Sequence, residues 1–131
     1  MFRAMLVGLF LAGSTSAFAQ EWIEMTSSDS DVYSAKQGSF EVGKNKGGET
    51  IAVVIGSTYT KASRSYNYGK WYVTGKDCQA GMGTLVSLST KGEFKFETEF
   101  VSGGNSVASG IADTICSLYS GHLRVREGKG L

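Results

Sequence analysis

From Glu93 to Val101 the chain alternates, with Phe94, Phe96 and Phe100 on one side and Glu93, Lys95, Glu97 and Glu99 on the other. Side chains along a strand repeat every two residues, so the pattern predicts a strand with one apolar and one wet face. Thr84 to Ser89 alternates as well, Val86 and Leu88 against Ser87 and Ser89. Thr90-Lys91-Gly92 joins the two as a hairpin loop in which Gly92 is free to take a positive φ. After Ser102-Gly103-Gly104 the apolar period changes from two to about 3.6. Val107, Ala108, Ile111, Ala112, Ile115, Leu118 and Tyr119 then fall in one arc, with Ser109, Gly110, Asp113, Ser117 and Ser120 opposite. This predicts a helix lying on the apolar face of the hairpin, capped by Asn105 or Ser106 and closed by Gly121 at its C-terminal end.

The rest of the chain reads as strands and turns. Ile51-Ala52-Val53-Val54-Ile55 is apolar on both faces and rich in β-branched residues. That predicts a central strand over Glu49–Thr58, covered by the helix on one side and by another element on the other. Trp22–Met25 reads as an edge strand, followed by Val32–Ala35 and Ser39–Val42 with Gly38 as a bend between them. Gly69–Lys76 alternates Trp71 and Val73 with Tyr72 and Thr74 and carries the chain to Cys78. Thr26–Asp31 and Lys44–Gly48 are turn clusters. The fold class expected is α+β: an antiparallel meander sheet of about five or six strands, with one C-terminal helix packed on one face and one disulfide.

The first residues change the picture, because they read as an address. Met1-Phe2-Arg3 supplies a positive charge, Ala4–Gly13 is apolar, and Ala17-Phe18-Ala19 has the small-x-small cleavage pattern. Residues 1–19 are therefore expected to be a signal peptide, residues 20–120 a single domain, and residues 121–131 a basic C-terminal tail or an edge strand over His122–Val125. No cysteine follows the apolar run, so a bacterial lipid anchor on the new N-terminus is not expected. No transmembrane segment remains after signal removal, and the location expected is periplasmic, cell-surface or secreted. In an oxidising compartment the two cysteines, Cys78 and Cys116, pair with each other.

The chain has 13 basic and 12 acidic residues, a formal charge of +1 that falls to about zero without Arg3. Such a balance gives no field for nucleic acid, and no nucleic-acid partner is expected. Catalysis is not expected either. A Ser-His-Asp hydrolase needs a positioned histidine, and His122, in the C-terminal stretch, is the one histidine in the chain. Glu93, Glu97 and Glu99 share a strand face beside Lys95, which is the pattern of a solvated surface rather than of a facing carboxylate pair. Lys44–Gly48 is followed by Glu49-Thr50 and a strand, so it is not a phosphate loop. Asp29 and Asp31 lack the further oxygen ligands that calcium needs. No cofactor and no metal are expected.

One segment carries recognition chemistry. Tyr59, Tyr66, Tyr68, Trp71 and Tyr72 interleave with Lys61, Arg64 and Lys70. Aromatics and arginine are enriched in the cores of protein interfaces. Two readings stay open: aromatics that pack on the sheet, or an interaction surface formed by Tyr59, Lys61, Arg64, Tyr66, Tyr68, Trp71 and Tyr72. The partner expected is a protein.

The order of elements is a tryptophan strand, YSAKQGSF, a central strand, a strand leading to Asp77-Cys78, a hairpin and then FVSGGNSVASGIADTIC. It resembles the surface-adhesin protein E type of fold of small exported bacterial proteins. The resemblance covers Trp22 to Leu118, with Cys78 and Cys116 matching that family's bridge and Trp22 with Tyr33 matching its opening strands. It implies binding to host matrix or serum proteins. That family's adhesin is a lipoprotein, whereas this chain has no lipid-attachment cysteine. No ligand-binding residue is carried over. The function expected is an exported, adhesin-like bacterial binding module. The alternative is a periplasmic inhibitor or immunity-type protein that restrains a bacterial enzyme, in keeping with an unanchored chain of balanced charge.

Overall fold

A computed structural model describes residues 21–126. The expected signal peptide and the last five residues of the basic tail lie outside the described residues. The elements are β1 (Trp22–Ser27), β2 (Asp31–Lys36), β3 (Glu41–Lys44), β4 (Thr50–Thr60), β5 (Ser65–Thr74), α1 (Gly75–Ala80), β6 (Met82–Leu88), β7 (Phe94–Val101) and α2 (Val107–Arg126). The strands form one antiparallel sheet in the order β1-β2-β4-β5-β6-β7, with β3 added beside β4. The expected α+β meander with its C-terminal helix and its Cys78–Cys116 disulfide is therefore present.

β4 is the longest strand, and β2 and β3 share one of its edges end to end. β2 pairs with Gly56–Thr60 and β3 with Thr50–Val53. The chain bends out between them at Gln37–Phe40, with Gly38 in a left-handed conformation (φ 82°). Between the two pairings the hydroxyl of Ser39 takes over from the backbone: its Oγ accepts from the Ile55 N–H at 3.0 Å.

The core lies between the sheet and α2. Ala52, Val54, Val73, Leu85 and Phe100 meet Ala108, Ile111, Ala112 and Ile115. The helix approaches β1 so closely that a Cβ on Gly110 would fall 2.7 Å from Thr26 Cβ. Ser106 is the N-cap, its Oγ accepting from Ser109 N at 3.0 Å. Ser109, which the helical period places on the polar side, is buried, because its hydroxyl accepts from Val101 N at 3.2 Å and ties the helix to the end of β7. Leu118, placed in the apolar arc, is instead exposed.

Three further expectations are corrected. α2 does not stop at Gly121 but runs to Arg126, so residues 121–126 are helical and His122–Val125 is no edge strand. Packing continues through Tyr119, His122 and Leu123, with the His122 ring 6.3 Å from Phe40. That packing outweighs the cost of about 1 kcal/mol for glycine inside a helix. β5 ends at Thr74, and Cys78 lies on the short helix α1, capped by Thr74 Oγ1 accepting from Asp77 N. Finally, the β6–β7 pairing runs from Ser87↔Phe96 to Leu88↔Phe94 and leaves Lys95 unpaired. A one-residue slip exchanges faces, so Phe94 no longer shares the side of Phe96 and Phe100. Only Phe100 is covered by the helix; Phe94 and Phe96 are 62% and 55% exposed.

Candidate functional site

The second face of β4 meets no second layer among the described residues, contrary to the expectation of a strand sandwiched on both sides. That face of the sheet is open. Strand pairing decides which side chains stand on it. β5 presents Tyr66, Tyr68, Lys70 and Tyr72 there, opposite Tyr59, Ser57, Ile55 and Val53 of β4. β2 adds Val32 and Ser34, opposite Tyr59 and Ser57. β1 adds Trp22 and Glu24, opposite Lys36 and Ser34.

The aromatic rings form a continuous row. Tyr59 and Tyr66 have ring centroids 4.8 Å apart, and Tyr66 and Tyr68 lie nearly parallel at 6.1 Å. Trp22 reaches from β1 to within 5.7 Å of the Tyr68 ring. With Val32 these rings surround a shallow cup of about 210 Å³ whose floor is Ser34 and Ser57. Ser57 is only 5% exposed although it lies on the uncovered face, as expected if the rings roof it. Tyr66 and Tyr68 remain 58% and 52% exposed, so a large apolar area faces solvent.

The seven residues read from the sequence as a surface divide into three groups. Tyr59, Tyr66, Tyr68 and Tyr72 share the open face. Trp71 points the other way, opposite Val54 and Ser87 on the helix side, where its ring lies 6.3 Å from Tyr33. Its alternation with Tyr72 already places it there, and it leaves the tyrosine surface. Lys61 and Arg64 sit in the β4–β5 turn. Lys61 Nζ donates to Ser28 O at 3.4 Å and its backbone N–H to Ser30 O at 2.9 Å, joining this turn to the β1–β2 turn. Arg64 is exposed and holds φ at 54°, a left-handed conformation uncommon outside glycine, which projects it from the hairpin tip.

Trp22, Val32, Ser34 and Ser57 belong to the cup and escape the sequence reading. Trp22 is assigned to a strand by its alternation, but its closeness to Tyr68 depends on the order β1-β2-β4-β5, which no local pattern encodes.

Asp31, weighed above as half of a calcium pair, instead accepts from Tyr33 OH at 3.3 Å and from Ser30 Oγ at 3.1 Å. Among the described residues no three His, Cys, Asp or Glu side chains are grouped to hold a metal. Among the same residues no helix is long and apolar enough to cross a membrane. No known protein family, curated protein or solved structure matches the chain.

Proposed function

We propose that the chain is an exported, adhesin-like bacterial binding module that contacts a protein partner, a host matrix or serum protein, through the open face of its sheet. The observation that carries this reading is the row Tyr59–Tyr66–Tyr68–Trp22, whose neighbouring rings lie within 4.8–6.1 Å of one another and whose middle pair, Tyr66 and Tyr68, is exposed. Tyrosine and tryptophan supply contact area with few rotatable bonds, and large exposed aromatic patches mark interaction surfaces. Arg64 at the neighbouring turn adds a fork of donors for a carboxylate at the rim. Export rests on the address-like residues 1–19 and on the disulfide.

The test combines location and binding. Protease shaving of intact cells should remove the tagged protein while a periplasmic control survives. Immobilised matrix and serum proteins should then retain the purified chain. A variant carrying Arg64→Gly, Tyr66→Ala and Tyr68→Ala should lose that retention while keeping its far-ultraviolet spectrum, since glycine relieves the positive φ at residue 64. Retention unchanged by the triple substitution would refute this surface. Protection from shaving until the outer membrane is opened would refute the adhesin reading and leave a periplasmic enzyme as the partner to seek.

A further inference from the structure

The helix side of the sheet carries a second, separate concave site. Between the first turns of α2 and the sheet lies a cleft of about 300 Å³, walled by Val107 and Ile111 from the helix and by Tyr33, Trp71, Leu85 and Phe96 from the strands. Gly56 and Gly69, directly opposed on β4 and β5, also line it. The indole of Trp71 occupies the position a Gly56 Cβ would take, and the Leu88 carbonyl oxygen lies where a Gly69 Cβ would fall. Hydrogen-bonding groups come from Asn67, Thr58, Ser87 and Thr98. The volume equals about ten water molecules at ~30 Å³ each, the lower end of the range for small-molecule sites.

Its charges are one-sided. Lys95 lines the cleft and no carboxylate does, whereas the side chain of Lys70, also at its border, stands on the open face with Tyr68 and Tyr72. Lys95 is the residue that the β7 bulge leaves unpaired, and bulges commonly re-aim a side chain next to a binding site. Among the described residues Lys95 is not engaged in an ion pair. An apolar wall of aromatic and branched residues with a free ammonium is complementary to a molecule with a greasy body and one negative end.

We propose that this cleft binds a small amphipathic carboxylate, an aliphatic or aromatic acid of about ten heavy atoms, with its apolar body against Trp71 and Ile111 and its carboxylate at Lys95. The site opens on the helix side of the sheet and shares only Tyr68 with the cup of the tyrosine row.

Trp71 reports on occupancy. The chain has two tryptophans, and Trp22→Phe leaves Trp71 as the only indole without touching the cleft. In that background octanoate, octanol and octylammonium are titrated below their aggregation thresholds while Trp71 emission is followed. Octanoate should shift the emission saturably and bind about tenfold tighter than octanol, the effect of one charge-assisted hydrogen bond. Octylammonium should bind weakest. Lys95→Gln, a change at the surface, should bring octanoate down to the octanol level. Thr98→Phe, which adds bulk inside the cleft, should abolish binding with the helical signal intact. Equal affinity for the three probes, no saturable shift, or a preference that survives Lys95→Gln would overturn the proposal. Undiminished octanoate binding to Thr98→Phe would place the acid elsewhere and overturn it too.

Discussion

The hydroxyl of Ser39 completes a strand ladder: its Oγ accepts from the Ile55 backbone N–H at 3.0 Å and donates to Lys36 O at 2.7 Å. The chain leaves β4 between β2 and β3, and a half-buried backbone donor without a partner there would cost free energy. One side chain supplies the missing acceptor. Ser39→Ala should therefore destabilise by about 1–3 kcal/mol, the cost of an unsatisfied group rather than of an average hydrogen bond. Urea unfolding should show a lower midpoint at an unchanged slope, and hydrogen exchange should show faster exchange at the Ile55 amide. An Ile55 amide as protected as before would mean that the hydroxyl is not its acceptor.

Trp71 and Gly56 make a second paired requirement. The indole fills the space in front of Gly56, so any side chain there must displace it. Gly56→Ala should cost about 1–3 kcal/mol, the usual penalty for overpacking, and should move the Trp71 emission toward that of a solvent-exposed indole. In a Trp71→Ala background the same substitution should cost far less, because its opponent is gone. Equal cost in both backgrounds would show that strand conformation, and not the indole, selects glycine at this position.

The Cys78–Cys116 bridge closes a loop of 38 residues between α1 and the middle of α2. In the chain-entropy treatment such a loop stabilises by about 4 kcal/mol. A small domain holds only about 5–15 kcal/mol in all. Cys78→Ala with Cys116→Ala should lower stability by about 4 kcal/mol, read as a fall in the urea midpoint. A loss below about 1 kcal/mol would mean that the reduced chain already holds α1 against α2.

The elements written in short periods were legible in the sequence: the β6–β7 hairpin with Gly92 at φ 88°, the start of α2, and the strand alternation of β5. The faces of Trp71 and Tyr72 follow from that alternation, but the expected strand began at Gly69, and it is the start of β5 at Ser65 that sets Tyr66 and Tyr68 on the side of Tyr72. What the local pattern could not show depends on single insertions and on distant partners. The bulge at Lys95 is one extra residue in a run whose polarity still alternates, so nothing in β7 alone marks it. Gly121 looks like a helix end until Phe40, from a distant turn, packs on His122. Ser57 looks like a solvent-facing serine until Tyr68 and Trp22 close over it.

Tyr33 gives the fold a predictable response to alkali. Burial raises the pKa of its phenol above the ordinary value of 10.0, and the Asp31 carboxylate adds to the rise by repelling the phenolate and by accepting the hydroxyl proton. The native state therefore keeps this proton at pH values where the unfolded chain has lost it. Below pH 10.0 both states are protonated and the full stabilisation is present. Above it the unfolded chain releases its proton first, and stability falls with rising pH until the native phenol ionises too. Tyr33→Phe removes this contribution. Near neutral pH the variant should match the parent within about 1 kcal/mol, because the lost hydrogen bond is long and only part-buried. At about pH 11 the parent should have lost more stability than the variant, read as a fall of the parent's urea midpoint relative to the variant's. Asp31→Asn should remove only the smaller share of the effect, since burial is the larger cause. Parallel stability curves for parent and Tyr33→Phe through the alkaline range would show that Tyr33 ionises in the folded protein as it does in the unfolded chain.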